Sequence, residues 1–402
     1  MMIRKGRLFT PGPTQLLPSA QLAMAAATMH HRTAEFRALY SRVLADLKTF
    51  VGTRNDVVMF TASGTGAMEA AVANLTSPGD KVLVISAGKF GERWEGLTKT
   101  YGCQLDSLRA PYGETISPQQ VRDKLAPDHK VLYMQATESS TGVRHDVEAI
   151  ARLLEGTETL LVVDAITGLG TTHFDVDGWG IDVIIGGSQK AVMIPPGLAY
   201  CAVSDRAWQR METARNPRYY FDLRKERKNG AKGESSYTPS TALVAALAAA
   251  LDYVREQGGG DLAAGRKLLV ENAETAADMT RSAAVALGLK LFSRQSPAAA
   301  LTAIASPDGV DSGDIVKAFR SHFGAVIANG QGEMKGQLFR IAHLGYYDYL
   351  DTIAAIGALE QVLLQIGRPV ELGAGLRAAQ RVYAQAGVAP QSARSHAEPV
   401  RS

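Results

Sequence analysis

A lysine and an aspartate, each directly after a short apolar run, are the residues whose placement most strongly suggests chemistry. Lys190 follows the run 181–185 and a Gly-Gly-Ser-Gln turn, and Asp164 follows the run 160–163. Both runs resemble buried strands, so we expect the two side chains at neighbouring strand ends. A lysine at the mouth of a buried strand can capture an aldehyde, although a solvated loop lysine is the commoner case. Together the pair would suit a pyridoxal phosphate enzyme, which needs an amine for a Schiff base and a carboxylate that keeps the pyridine nitrogen protonated.

A glycine-rich turn at residues 61–69 follows an apolar run and opens a helical pattern. Backbone amides at a helix N-terminus, aided by small and hydroxyl residues, form a phosphate site. The central residues of this turn are Ser63, Gly64 and Thr65. A dinucleotide-binding fingerprint would require Gly or Ala where the chain has Glu69, and a Walker A loop would require Gly-Lys-Ser/Thr. The pattern favours a phosphate cradle of unspecified kind, with a plain tight turn as the alternative.

Two further segments follow predicted strands and could face the same site. Phe90 lies after the apolar run 81–85, where an aromatic ring can stack on a planar cofactor, although core packing is the commoner fate of phenylalanine. Ser139 lies in the hydroxyl-rich segment 137–142. Its hydroxyl could bond a phenolic oxygen, or the segment could simply cap a turn.

The order of elements predicts an α/β chain with a mostly parallel central sheet, helices on both faces and a smaller C-terminal α+β domain. Strands are predicted at 57–60, 81–85, 131–135, 160–163, 183–185 and 198–203, alternating with helices at 64–74, 91–101, 118–125 and 146–155. Beyond residue 257 we predict helices at 260–287, 312–322 and 348–366, with strands at 289–292, 301–305, 325–329 and 337–342. The predicted divisions are an N-terminal arm (1–15), a large domain (16–256), a small domain (257–370) and a mobile tail (371–402).

Composition places the chain among ordinary globular proteins. Its 402 residues are 46% hydrophobic and 21% charged, with a formal net charge of +3, which offers no nucleic-acid footprint. The Ala-rich stretch 242–251 has half the length of a membrane span, and no secretion signal is evident. Two cysteines, Cys103 and Cys201, form neither a disulfide framework nor a metal-ligand set. We therefore expect a cytoplasmic protein without a metal or a membrane partner.

Five motifs in order resemble those of the class-V aminotransferases, which are pyridoxal phosphate enzymes of fold type I, and specifically the alanine–glyoxylate and serine–glyoxylate group. The resemblance runs from Thr10 to about Gly345. The matching residues are Ser63-Gly64-Thr65, Phe90, Glu138-Ser139-Ser140-Thr141-Gly142, Asp164 and Ser188-Gln189-Lys190.

The resemblance implies pyridoxal 5′-phosphate as cofactor and assigns roles to these residues. Lys190 would form the Schiff base and shuttle a proton, Asp164 would pair with the pyridine nitrogen, and Phe90 would stack on the ring. Ser139 would bond the phenolic oxygen. The residues implied to hold the phosphate are Ser63, Gly64, Thr65 and Gln189.

The resemblance also implies a homodimer with shared active sites. Thr238 matches a phosphate contact donated by the partner subunit, but Ser235 replaces a tyrosine that some members place three residues earlier. His31 and Arg32 match a pair that approaches the neighbouring site, and the same segment could also cap a helix. Arg340, in an alternating strand, matches the arginine that forks onto the substrate α-carboxylate.

The expected reaction moves an amino group from a small amino acid, alanine or serine, to a 2-oxo acid such as glyoxylate or pyruvate. Phosphoserine aminotransferases, which use 2-oxoglutarate, have a similar His-Arg segment and remain the alternative. Cysteine desulfurases need a nucleophilic cysteine in the small domain, and this chain has none after Cys201. Some relatives are labelled hydrogenase subunits, but two widely spaced cysteines provide no metal-cluster ligands.

Overall fold

A computed structural model describes residues 3–26 and 29–387 of the chain. Its strands are β1 (Arg7–Phe9), β2 (Asp56–Phe60), β3 (Lys81–Ser86), β4 (Gln104–Arg109), β5 (Val131–Gln135), β6 (Thr137–Glu138), β7 (Val143–Arg144), β8 (Leu160–Asp164), β9 (Val183–Gly187), β10 (Ala199–Val203), β11 (Leu301–Ala305), β12 (Ala325–Asn329) and β13 (Leu338–Ala342). Its helices are α1 (Pro18–Ala25), α2 (Ala34–Val51), α3 (Gly64–Leu75), α4 (Lys89–Thr100), α5 (Pro118–Lys124), α6 (Val147–Arg152), α7 (Asp205–Thr213), α8 (Leu223–Gly230), α9 (Thr241–Gln257), α10 (Leu262–Ala286), α11 (Ser312–Phe323), α12 (Tyr349–Gln365) and α13 (Ala374–Gln385). In this part of the chain, no helix combines the length and apolarity needed to cross a bilayer.

A seven-stranded sheet forms the centre of the larger part of the molecule. Its strand order is β2-β10-β9-β8-β5-β3-β4, and only β10 runs antiparallel to its neighbours. Both faces of the sheet are buried: Val82 and Val84 pack on one side of β3, and Leu83 and Ile85 on the other. Such burial explains why the strands appear in the sequence as nearly continuous apolar runs. The predicted α/β class with a mostly parallel sheet is confirmed.

Helices cover the two faces of this sheet through separate apolar clusters. Helices α2 and α9 share one cluster with alternate strand residues, and α3 and α7 share the other. The Ala-rich stretch 242–251 lies within α9, where alanines allow close packing. The layered arrangement leaves the carboxyl ends of the parallel strands as one edge of the sheet, the usual place for a ligand site in such folds.

A second sheet, with strand order β1-β12-β13-β11, is covered by α10, α11 and α12. The segment expected to be an N-terminal arm contributes β1, which pairs parallel to β12. The chain then crosses to the large sheet, where Thr14 N–H donates to Gln189 C=O at 3.2 Å and Leu17 N–H donates to Met193 C=O at 3.0 Å. The arm therefore connects the small sheet directly to the turn that carries Lys190.

Two expected elements differ from those observed. The strand expected at 289–292 is reduced to an isolated bridge between Leu291 and Ile304. Part of the expected mobile tail, residues 371–402, is instead helix α13. Ala379 of this helix is buried against Met279 and Ile356, and Leu376, Val382 and Tyr383 pack against the same cluster. Residues 388–402 lie outside the described residues.

Candidate active site

Lys190 and Asp164 lie at the carboxyl ends of adjacent strands. Asp164 ends β8 and is in register with Ile185 of β9, and Lys190 follows β9 after a short turn. Both side chains are buried. The Lys190 ammonium donates to the carbonyl oxygen of Pro11, and a Cβ atom at Gly12 would lie 2.6 Å from Lys190 Nζ. Gly12 also has a φ of +125°, so any side chain there would strain the backbone as well as press on the Lys190 amine.

Burial dominates the ionisation of both groups. It lowers the pKa of Lys190 to about 8, helped by the positive charges of Arg340 and Arg93 and opposed by Asp164. Burial also raises the pKa of Asp164 to about 6, opposed by a 2.9 Å hydrogen bond from Ile166 N–H and by the charges of Lys190 and Arg93. At neutral pH the site therefore combines a partly neutral, nucleophilic amine with a carboxylate that is mostly ionised.

The N-terminus of α3 forms a cradle beside this pair. Ser63 is the N-cap residue, but its exposed hydroxyl makes no capping hydrogen bond and is available to a ligand. Gly64 and Thr65 begin the helix, whose first amide groups point out of its end. The Oε1 atom of Gln189 is buried and has no hydrogen-bond partner among the described residues. The backbone amides and hydroxyls of this cradle fit the phosphate group of pyridoxal phosphate, and the NH₂ group of Gln189, rather than its Oε1 atom, could add a donor.

Phe90 and Ser139 approach the site from two other elements. Phe90 lies in the first turn of α4 with its ring half-buried, and the guanidinium carbon of Arg93 is 4.7 Å from the ring centroid. Arg93 Nη1 also donates to Thr65 Oγ1 at 3.1 Å, which joins the aromatic residue to the α3 cradle. Ser139 is buried after β6. Contacts through Arg93 thus join Phe90 to the α3 cradle, and Ser139 lies next to Glu138, whose carboxylate accepts from Phe90 N–H.

Arg340 of β13 is a buried cation that bridges the two sheets. Its Nη1 donates to Ser139 C=O at 2.6 Å and its Nη2 to Asn329 C=O at 2.5 Å, while Nε has no partner among the described residues. Burial lowers its pKa to about 10, although Glu138 acts to raise it, so the guanidinium stays charged at neutral pH. No described carboxylate forms a salt bridge with it. The Arg340 guanidinium is charged and bonds only to backbone carbonyl groups among the described residues, so it can bind the carboxylate of a ligand through two N–H groups.

Thr238, His31 and Arg32 form a separate group at the surface. Thr238 is exposed, and Glu234 of the same loop pairs with Arg32 at 3.5 Å. His31 stacks on the preceding histidine ring at 4.7 Å. Thr33 caps α2 through Phe36 N–H, so the helix-cap interpretation of this segment also holds. In the described part of the chain, no hydrogen bond or ion pair joins the group to Lys190 or Asp164.

For three residues near Lys190 and Asp164, the sequence predicts no role. Arg93 contacts Phe90 three residues earlier in the same helix, a spacing that could have suggested the pair. Nothing in the sequence around Pro11 or Lys190 predicts their contact. Glu138 belongs to a quoted motif, but its buried contacts with α4 depend on the fold.

Comparison with known proteins finds relatives over most of the chain. The family model described as aminotransferase class-V matches residues 17–332. The chain is 39% identical to the soluble hydrogenase small subunit of Synechococcus sp. (strain PCC 6716), covering 95% of this chain and 99% of that protein. It is 33% identical to the L-aspartate–glyoxylate aminotransferase of Paracoccus denitrificans, covering 97% and 99%. A solved aspartate aminotransferase of subgroup IV from Thermus thermophilus is 34% identical, with a TM-score of 0.83 over 90% of this chain and 99% of that one.

Proposed function

Because the chain belongs to the class-V aminotransferase family, we propose that it binds pyridoxal 5′-phosphate at Lys190 and transfers an amino group from alanine or serine to glyoxylate or pyruvate. One observation carries the cofactor assignment. A buried lysine whose pKa is about 8 stands beside a buried aspartate at the ends of two adjacent parallel strands. This is the amine and carboxylate pair that the chemistry needs.

The residues around the pair fit the remaining parts of the cofactor. Asp164 would face the ring nitrogen, Phe90 would stack on the ring, and Ser139 would bond the phenolic oxygen. The phosphate would be held by Ser63, Gly64, Thr65 and Gln189, with Thr238 added by the partner subunit of a homodimer. When bound, the cofactor supplies an aldehyde and a protonated ring that stabilises negative charge on the substrate Cα.

Each of the protein's own groups would have a separate role in the reaction. Lys190, when its amine is free, would take the proton from the substrate Cα and deliver it to the carbon of the cofactor's aldehyde group. Asp164, ionised and held by Ile166 N–H, keeps the ring nitrogen protonated. Arg340 binds the substrate α-carboxylate as a fork and fixes the Cα–H bond relative to Lys190. Pro11 and Gly12 form the wall over the amine and exclude water from it.

Aspartate is a second donor candidate. The names of the Paracoccus and Thermus proteins point to it. The structure adds Arg93, a half-buried cation whose charge acts on both Lys190 and Asp164, which could receive a side-chain carboxylate. If Arg93 has this role, Arg93→Ala should reduce turnover of aspartate far more than turnover of alanine.

A donor and acceptor panel tests the proposal. Alanine, serine, aspartate and phosphoserine would each be assayed against glyoxylate, pyruvate and 2-oxoglutarate. We expect turnover of alanine or serine with glyoxylate or pyruvate. Robust turnover of phosphoserine with little of the small donors would instead establish the phosphoserine alternative.

Two arginine variants sharpen this panel. Arg340→Lys should weaken all donors alike by about tenfold or more, because an ammonium cannot reproduce the fork. Arg377→Lys, at a half-exposed arginine of α13, serves as the matched control and should change none. Arg32→Ala would reduce phosphoserine binding selectively by about a hundredfold if Arg32 held a phosphate. For a small-donor enzyme we expect it to affect alanine and serine equally.

A further inference from the structure

Glu138 is a buried carboxylate that the proposed mechanism does not use. Its side chain is fully buried after β6, and both of its oxygens accept hydrogen bonds. Oε2 accepts from Phe90 N–H at 3.0 Å and from Gly91 N–H at 3.1 Å. Oε1 accepts from Ser140 N–H at 3.1 Å and from the Ser140 hydroxyl. Such a group is stabilised as a carboxylate only while its donors stay in place.

These contacts fasten the start of α4 to the segment after β6. The Ser140 hydroxyl oxygen also accepts from Lys89 N–H at 3.1 Å, so three consecutive amide groups of the first turn of α4 are bound by residues 138–140. A Cβ atom at Gly88 would lie 2.5 Å from the Glu138 carboxyl carbon, so the close approach requires glycine there. The anion also lies at the positive end of the α4 dipole.

The start of α4 and the segment after β6 each carry a residue assigned to the cofactor site. Phe90 donates directly to Glu138, and Ser139 is the next residue in the chain. The carbonyl of Ser139 in turn receives Arg340 Nη1. Displacement of the carboxylate would therefore move the stacking ring relative to the hydroxyl that faces the phenolic oxygen.

We propose that Glu138 is a positioning residue of the cofactor site, which holds the Phe90 ring and the Ser139 hydroxyl at the spacing that pyridoxal phosphate requires. The inference rests on the proposed function, because it assigns Phe90 and Ser139 to the cofactor. Glu138 itself touches neither substrate nor cofactor in this role and acts through Phe90 and Ser139.

The chain supplies a matched control in Glu360 of α12. This carboxylate is also buried, and it accepts from Gly373 N–H at 2.8 Å, Gly375 N–H at 2.9 Å and Leu376 N–H at 3.1 Å. It therefore binds the first turn of α13 as Glu138 binds that of α4, but within the small-sheet part of the molecule. Glu360→Gln should cost folding stability in the same way without touching the cofactor cleft.

The experiment compares Glu138→Gln with Glu360→Gln in the full chain. In Glu138→Gln, the side-chain NH₂ group would face either the N–H groups of Phe90 and Gly91 or the N–H group of Ser140. Because an NH₂ group cannot accept a hydrogen bond from these donors, one set would lose its acceptor. Three quantities would be measured: the dissociation constant of pyridoxal phosphate from the apoenzyme, the visible circular dichroism of the bound cofactor, and the melting temperature of the apoenzyme. Wild-type binding of pyridoxal phosphate is measured first and tests the proposed function by itself.

We expect Glu138→Gln to raise the dissociation constant by roughly tenfold to a hundredfold and to weaken the dichroic band. Glu360→Gln should lower the melting temperature comparably and leave the other two quantities within about twofold. In a Phe90→Leu background, Glu138→Gln should add at most about threefold, because the ring is gone and only the effect through Ser139 remains.

Unchanged affinity and dichroism in Glu138→Gln would overturn the proposal, as would an equal loss of affinity in Glu360→Gln or the full effect in the Phe90→Leu background. If Glu138→Gln does not fold, Ser140→Ala removes one donor to the same carboxylate and should show a smaller loss of affinity in the same direction. No loss in that variant would overturn the proposal too. Failure of the wild type to bind the cofactor would refute both this inference and the proposed function.

Discussion

Acylation of Lys190 in the apoenzyme should depend on pH with an inflection near pH 8. Burial is the main cause, since it lowers the pKa of this amine from 10.5 to about 8. At pH 7.5 about a quarter of such an amine is neutral, against about one in a thousand for a lysine with the ordinary pKa. The expected gain in reactive amine at that pH is therefore about two hundredfold.

Two variants should shift the inflection in opposite directions. Arg340→Gln removes a positive charge that lowers the pKa of Lys190, so the inflection should move to higher pH. Asp164→Asn removes a negative charge that raises it, so the inflection should move to lower pH. Neither change should return the pKa of Lys190 to its ordinary value, because the lysine side chain stays buried.

The assay is competitive labelling of the apoenzyme with acetic anhydride between pH 6 and 11, followed by mass spectrometry of each lysine peptide. Lys89 is the internal control, because hydrogen bonds with Tyr112 and Glu92 raise its pKa. Borohydride reduction of the cofactor-loaded protein should attach the adduct to Lys190. An inflection at or above pH 10 for Lys190, shifts of the same sign in both variants, or an adduct on Lys89 or Lys81 would refute this account.

Two further predictions concern the carboxylate and the dimer. Asp164→Asn keeps the shape of the side chain and removes its charge, so it should retain the cofactor and lose roughly a hundredfold or more in single-turnover transamination; near-normal turnover would mean that another acid protonates the ring. If Arg32 and Thr238 act on the partner's site, mixing inactive Lys190→Ala chains with inactive Arg32 and Thr238 double-variant chains should restore about a quarter of the wild-type activity, because half of the dimers are hybrids with one intact site. Subunit exchange without recovery would show that each chain has a self-contained site.

The parts of the site that the sequence predicts are those fixed by local pattern. Asp164 and Lys190 could be placed because each follows an apolar run, and neighbouring parallel strands bring their ends together. Arg340 could be placed because alternation in 338–342 marks a strand. In each case the relevant signal lies within a few residues of the side chain.

The parts that could not be predicted depend on contacts between distant segments. Glu138 and Phe90 are 48 residues apart, and they meet because β5 pairs with β3 in the sheet. Pro11 and Lys190 are 179 residues apart. Helix α13 was missed because most of its apolar residues are alanines, which give a weak local pattern, whereas its docking depends on Ala379 fitting a surface made by other helices. No local periodicity encodes such pairings.

The N-terminal arm and Arg340 are both supported by strand β12. Strand β12 pairs with β1 on one side and with β13 on the other. β1 leads directly to Pro11 over the Lys190 amine, and β13 carries Arg340. The small sheet therefore sets both the wall over the amine and the position of the carboxylate fork, while the large sheet sets Lys190 and Asp164. The proposed proton transfer at the substrate Cα would require both sets of groups at once. It would therefore depend on how the two sheets are held together, to which the arm and the contact of Arg340 with Ser139 both contribute.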